Sequence, residues 1–244
     1  MRLVFLGTGG YHPNERRHTA CVLLPELGIL FDAGTSFFRV ADRLKTNEVQ
    51  IFLSHAHLDH VVGLTYFLVP LLKGDVTRAR VHAMPKTLDA LRTHLFDEML
   101  FPLLPGYEFT PLTPQVSVPE NGILTHHPLK HPGGSTGYRI DWPGRSMAYI
   151  TDTTADGSYH DFVQGVDLLI HECYFRDEMA EWSEKTGHSN TTPVAELARS
   201  AGVKRLILTH IDPYRPGDDP IDIEKARAIF PATKVAEDLM EVDF

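Results

Sequence analysis

Three imidazoles and a carboxylate fall within six residues, His55-Ala56-His57-Leu58-Asp59-His60, directly after the apolar run Val49-Gln50-Ile51-Phe52-Leu53 and Ser54. An apolar run of that length reads as a strand, whose side chains alternate between faces, so His55 and His57 project together from its end. Asp59 and His60 follow in the turn where the chain reverses into a helix. A lone histidine is ordinarily a surface or satisfied core residue, but this density at a strand end has no packing use and points to metal. Two short-range ligand pairs can serve two ions. Imidazole nitrogen with carboxylate oxygen suits Zn²⁺, with Mn²⁺, Fe²⁺ or Co²⁺ as competitors.

The rest of the chain bounds what surrounds such a site. Its 244 residues, 43% hydrophobic and 23% charged, have the profile of an ordinary globular protein. That length fits one domain over residues 1–244, made of two pseudo-equivalent halves at about 1–125 and 126–244. The opening Met1-Arg2-Leu3-Val4-Phe5-Leu6-Gly7 reads as a first strand rather than a signal peptide, and no window approaches the roughly 18 to 20 apolar residues of a membrane span. With only Cys21 and Cys173 no disulfide framework is implied, and a reducing cytoplasm is the expected location. The net charge is −9, and the basic residues, Arg16-Arg17-His18, Arg78, Arg80 and Lys204-Arg205, are scattered. Polyanion binding usually needs a basic stripe, so a large nucleic-acid substrate is disfavoured.

Short strands alternate with helices along the chain. Strands are expected at 2–6, 20–24, 28–34, 80–84, 124–129, 137–141, 146–150, 167–170 and 205–209. Helical spacing covers 37–44, 61–72 (interrupted by Pro70), 86–96, 193–201 and 223–230. The Pro-, Phe- and Leu-rich stretch 98–119 reads as irregular surface structure, with a substrate-covering loop or an oligomer contact as the sharper alternatives. Two strand-rich halves with outer helices suggest two sheets packed face to face, helices outside. The 61–72 helix and the Pro-rich stretch are the candidate surfaces for a homodimer.

Four further strands end on a metal-ligand residue: Asp32, His131, Asp152 and His210. Singly, each has a bland reading; Asp152 before Thr153-Thr154 resembles a helix cap. Their recurrence is the argument, because sites on sheet-built folds gather where strand ends and their loops meet.

These residues together resemble the metallo-β-lactamase superfamily, whose His-x-His-x-Asp-His motif stands here as His55 to His60. The likeness extends through Phe5-Leu6-Gly7-Thr8-Gly9-Gly10, Phe31-Asp32-Ala33-Gly34, His131, Asp152 and Leu208-Thr209-His210. It implies an α/β (α+β) fold, a four-layer αββα sandwich, and two divalent metal ions. One ion would take His55, His57 and His131, the other Asp59, His60 and His210, with Asp152 bridging. Asp32 is then a supporting acceptor for a ligand imidazole rather than a ligand.

Within the superfamily the likeness is to ribonuclease Z and its related small phosphodiesterases. His131-Pro132-Gly133-Gly134-Ser135-Thr136-Gly137-Tyr138 resembles their third motif. His171-Glu172-Cys173-Tyr174-Phe175 resembles their His-Glu-Ala-Thr-Phe, departing at Cys173 and Tyr174, and Gly187-His188-Ser189 resembles their Gly-His-Ser/Cys. By that resemblance His188, held by Glu172, stabilises charge or donates a proton. Ribonuclease Z generally inserts a basic tRNA-clamping arm, in the bacterial form between the third ligand motif and the bridging Asp; here His131 and Asp152 are 21 positions apart, which with the acidic balance disfavours tRNA as a partner against a smaller phosphodiester. The cysteine-rich N-terminal zinc segment of the related phosphonate-pathway enzymes is also missing.

The expected function is therefore a dinuclear metal-dependent phosphodiesterase acting on a small or nucleotide-like diester. Alternatives are a tRNA 3′-processing endonuclease and a hydrolase of lactone or thioester bonds. Two metals about 3.5–4 Å apart would activate water and hold the phosphoryl oxygens. Asp59 would orient the nucleophile, and His188 with Glu172 would serve the leaving group. Ser135 and Thr136 are candidate phosphate contacts, with backbone capping as the alternative. Gly7-Thr8-Gly9-Gly10 lacks the Lys-Ser/Thr of a P-loop and reads as a tight turn. His12, His18, His82, His94, His126, His127 and His160 take the bland reading, although His126 or His127 is the fallback for His131.

Overall fold

In the computed structural model, which describes residues 1–215 and 217–244, the apolar runs become two seven-stranded sheets among the described residues. Each sheet belongs to one of two units. The first unit comprises Met1–Thr113 with Asp238–Asp243, the second Pro114–Glu237 with Phe244.

The first sheet holds β1 (Arg2–Gly7), β2 (Cys21–Leu24), β3 (Ile29–Phe31), β4 (Glu48–Phe52), β5 (Arg78–Ala83) and β6 (Tyr107–Pro111), closed by β14 (Glu241–Asp243). β14, β1, β2 and β3 pair antiparallel, while β3 through β6 run parallel. One face is covered by helical segments that bury Phe37, Leu64, Phe67, Leu88 and Leu91 against Leu23, Leu30, Ile51 and Val81. Each such side chain contributes about 1.5–3 kcal/mol on leaving water.

The second sheet is β7 (Gln115–Val118), β8 (Gly122–Leu129), β9 (Ser135–Trp142), β10 (Arg145–Ile150), β11 (Leu168–Glu172), β12 (Leu206–Thr209) and β13 (Thr233–Val235). β7 to β10 are an antiparallel meander; β10 to β13 are parallel. Parallel strands need crossovers, and the helices at His160–Val163, Thr191–Ser200 and Ile223–Ile229 lie in them. Both faces of these strands are covered, which is why β11 and β12 read as unbroken apolar runs, Leu168-Leu169-Ile170 and Leu206-Ile207-Leu208. Among the described residues no helix is long and apolar enough to cross a membrane.

Three local expectations are corrected. Residues 98–119 are not all irregular, since β6 and β7 lie there; β6 is an edge strand, where Pro111 is tolerated. The single helix expected over 61–72 is broken into Leu58–Val61, a 3-10 stretch Val62–Phe67, and Leu68–Lys73. Pro70 falls in the first turn of that last piece, where its missing N–H costs no helical bond. The 3-10 turn brings Gly63 against the neighbouring backbone: a Cβ there would lie 2.3 Å from the Gly34 carbonyl oxygen. Helical spacing over 37–44 yields only a 3-10 turn, Thr35–Arg39.

Candidate metal centre

In the first unit the register of β3 and β4 pairs Phe31 with Phe52, and the Asp32 N–H donates to the Phe52 carbonyl at 3.0 Å. The two parallel strands therefore release Asp32 and Ser54 side by side at their carboxyl ends, where open α/β sheets gather ligands. Asp32 is fully buried. Its Oδ1 accepts from the Ser54 N–H at 2.7 Å and hydroxyl at 2.9 Å, and its Oδ2 accepts from His60 Nδ1 at 2.9 Å. The Ser54 hydroxyl in turn lies 2.9 Å from His55 Nδ1. These acceptors fix both tautomers and leave Nε2 as the donor atom of each ring. The His55 ring centroid is 4.3 Å from that of His57 and 4.4 Å from that of His60, and His60 Nε2 is 3.3 Å from Asp59 Oδ2. All four motif side chains thus converge within this unit.

The second unit carries its own cluster of donor side chains at its strand ends. β10, β11 and β12 lie side by side and parallel, with Ile150 opposite His171 and Glu172 opposite Thr209. Asp152, Glu172 and His210 therefore emerge at neighbouring carboxyl ends. The two oxygens of Asp152 face different imidazoles: Oδ2 is 3.6 Å from His131 Nε2, and Oδ1 is 3.3 Å from His210 Nε2. His131 Nδ1 donates to the Gly187 carbonyl at 2.9 Å. Burial pushes the His131 pKa below the ordinary imidazole range despite the pull of Asp152, which favours the neutral form that a ligand needs. Gly187 is a glycine for two reasons: its φ is +75°, and a Cβ would lie 2.6 Å from Pro132 Cδ and 3.1 Å from His131 Nδ1.

Asp32, Asp152 and His210 share a backbone conformation, with φ of +57°, +49° and +58°. Left-handed φ outside glycine is uncommon, Asp and His are among the side chains that tolerate it, and it costs on the order of 1–3 kcal/mol. At each strand end this bend turns the chain sharply.

Glu172, fully buried, pairs with the partly exposed His188. His188 Nδ1 donates to Glu172 Oε1 at 3.0 Å, and the Thr153 N–H donates to the same oxygen at 2.8 Å. The His188 ring stacks on His210 at 5.3 Å and on Tyr174 at 4.8 Å. Donor atoms of Asp152, His188 and His210 lie within 4.8 Å of one another. Behind the pair, the buried Tyr159 hydroxyl donates to His171 Nε2 at 2.7 Å, and His171 Nδ1 donates to the Glu172 carbonyl at 2.6 Å.

The remaining expected residues are placed as follows. Ser135 and Thr136 are buried in β9, and the Ser135 hydroxyl spends its one proton on the Thr151 carbonyl at 3.0 Å. His126 and His127 lie within β8, opposite Tyr138 and Gly137. The sequence assigned no role to Ser54, Gly187 or Tyr174. Ser54 directly precedes the motif and could have been found; a backbone carbonyl such as that of Gly187 leaves no side-chain signal. Imidazoles oriented through Nδ1, together with carboxylates, are a donor set that fits divalent metal.

A family model described as a β-lactamase superfamily domain matches residues 28–211. Ribonuclease Z of Methanosarcina acetivorans is 29% identical over 303 aligned positions, spanning 100% of this chain and 98% of the relative. Among solved structures, the metallo-β-lactamase fold protein YhfI of Bacillus subtilis superimposes with a TM-score of 0.81 at 19% identity, covering 99% of this chain and 98% of its own. The short form of human tRNase Z gives 0.75 at 21%, covering 100% and 99%. A diphosphatase of the PhnP family gives 0.74 at 20%, covering 100% and 97%. The expected fold is borne out. The expectation that tRNA is disfavoured is corrected by the name these relatives carry: net charge sums over a whole surface, whereas polyanion binding is set by local potential.

Proposed function

The chain belongs to the metallo-β-lactamase superfamily, and on that premise we propose that it is a metal-dependent phosphodiesterase. His55, His57 and His131 would hold one divalent ion, Asp59, His60 and His210 a second, with Asp152 shared between them; zinc suits these donors. Support for the shared role comes from Asp152 itself, whose two oxygens face His131 and His210 separately. Such ions, when bound, supply Lewis acidity and a water of lowered pKa.

The observation that carries the hydrolytic reading is the Glu172–His188 pair beside Asp152 and His210. Glu172 fixes Nδ1 of His188 and so directs Nε2 to the reacting groups, where it can give a proton to the departing oxygen. Asp59 orients the attacking water. Asp32 and the Gly187 carbonyl keep His60 and His131 turned the right way.

Two substrates fit this chemistry. A small or nucleotide-like diester is favoured by the segment from His131 to Asp152, which is occupied by β9 and β10 joined through Pro143-Gly144, with Trp142 opposite Arg145 and no inserted arm. The Methanosarcina alignment also runs over 303 positions against 244 residues here, so that relative carries insertions that this chain lacks. The 3′ end of a tRNA precursor is favoured by the relatives' name. Zinc-loaded protein offered bis(p-nitrophenyl) phosphate, a tRNA precursor and a lactone separates the readings. Turnover of the lactone alone would remove the phosphodiesterase proposal.

A further inference from the structure

Tyr11 holds a position in the first unit that the proposed chemistry does not use. Its N–H donates to Asp59 Oδ2 at 2.8 Å, so the residue flanks a carboxylate of the His55 to His60 cluster. Its φ is +60°, and the His12 N–H reaches across it to the Gly10 carbonyl at 2.8 Å. This is a γ-turn of positive φ, a rare and strained geometry for a residue with a side chain. Gly9 and Gly10 stand immediately before it, so the chain has glycine at hand and still places a phenol ring at the tip. The residue is 64% exposed, with the His12 ring edge-on at 4.9 Å.

The base beneath this tip is tied down by hydrogen bonds. The Thr8 N–H and hydroxyl donate to Asp238 Oδ1 at 3.0 and 2.8 Å, and Arg17 donates to the Thr8 hydroxyl at 2.5 Å. The Gly9 N–H donates to the His18 carbonyl at 2.9 Å. An aromatic side chain carried on a hydrogen-bonded loop leaves only its own rotamer to be ordered when a planar partner binds.

We infer that Tyr11 is a stacking platform for a nucleobase, which makes the substrate a nucleotide-bearing diester. Every base has a π-face, so such a platform binds bases without reading sequence. The inference rests on the phosphodiesterase reading for the placing of the phosphate, and on Tyr11 alone for the stacking.

The test measures the affinity of the zinc-loaded chain for adenosine 5′-monophosphate and for inorganic phosphate by calorimetry, in wild type, Tyr11→Phe, Tyr11→Ala and Tyr11→Gly. Tyr11→Ala and Tyr11→Gly should weaken the nucleotide by about tenfold or more and leave phosphate unchanged, while Tyr11→Phe keeps both. Tyr11→Gly, relieved of its strained φ, should melt no lower than wild type, so the loss is not unfolding. Equal nucleotide affinity in wild type and Tyr11→Gly, or a parallel loss of phosphate, overturns the platform. Hydrolysis of bis(p-nitrophenyl) phosphate judges the parent reading separately: an inactive protein that still binds the nucleotide through Tyr11 removes the phosphodiesterase and keeps the platform.

Discussion

His82 offers a quantitative test of how the first sheet is packed. Its side chain lies near the carboxyl end of β5, 4% exposed, with its ring stacked on Phe52 at 4.7 Å and 13°. Neither ring nitrogen has a hydrogen-bond partner among the described residues. Burial, with a smaller contribution from Arg80, pushes its pKa down to about 4. In the unfolded chain it titrates near 6.5, so between those values the unfolded state binds the proton that the folded state refuses. Stability is therefore lost as pH falls from about 6.5 to about 4, and the linkage amounts to about 2–2.5 kcal/mol at pH 4.5. His82→Leu removes both nitrogens at similar volume. At pH 7.5 it relieves about 1–3 kcal/mol of unsatisfied polar burial and forfeits about 0.5–1.5 of stacking, a net gain near 1 kcal/mol. Urea unfolding at pH 7.5 and 4.5 should then show the gap between variant and wild type widening from about 1 to about 3 kcal/mol. Taking that difference cancels the titration of the other histidines. A gap of the same size at both pH values would refute the buried, neutral His82.

Other consequences can be measured in parallel. Asp32→Ala strips the acceptor from His60 and Ser54 and should weaken metal retention about 10- to 100-fold in competition with a chelator; unchanged retention would remove Asp32 from the centre. His188→Ala should keep its metal content and lose about 10²- to 10⁴-fold in turnover, and full activity would leave the Glu172 pair purely structural. At Asp177, burial is outweighed by hydrogen bonds from Lys225, Thr192 and Asn190, which hold the pKa at about 2. Its stabilisation, about 1 kcal/mol after allowance for solvent screening, is present above pH 3.8 and fades as pH falls through 2. Asp177→Asn should flatten that part of an acid-unfolding curve, and an unaltered curve would count against the hydrogen-bonded carboxylate.

The elements legible in the sequence were those where burial leaves its mark on residue type. β4 ends in the His cluster, and β10, β11 and β12 are apolar runs ending on or near Asp152, Glu172 and His210, so strand and donor announced each other. β6 was hidden because an edge strand needs apolar residues on fewer sides and tolerates Pro111. β14 is three residues, Glu241–Asp243, whose pairing partner β1 lies at the far end of the sequence, beyond any local pattern. In the centre, ligand types were visible and their orientation was not. That depends on Ser54, on the Gly187 carbonyl and on the bends at Asp32, Asp152 and His210. Tyr174 was noticed only as a departure from the family pattern; its stacking on His188 is a tertiary fact.

The short return of Asp238–Asp243 to the first unit has a consequence for how the molecule is made. Asp238 receives hydrogen bonds from Thr8, His18 and Arg39, and β14 caps the free side of β1. On the ribosome these residues emerge only after Pro114–Glu237, all but the last residue of the second unit. Until then β1 is an unprotected edge, and the Thr8 loop beneath Tyr11 lacks its anchor. Thr8 is thus fixed in place by a residue synthesised 230 positions later.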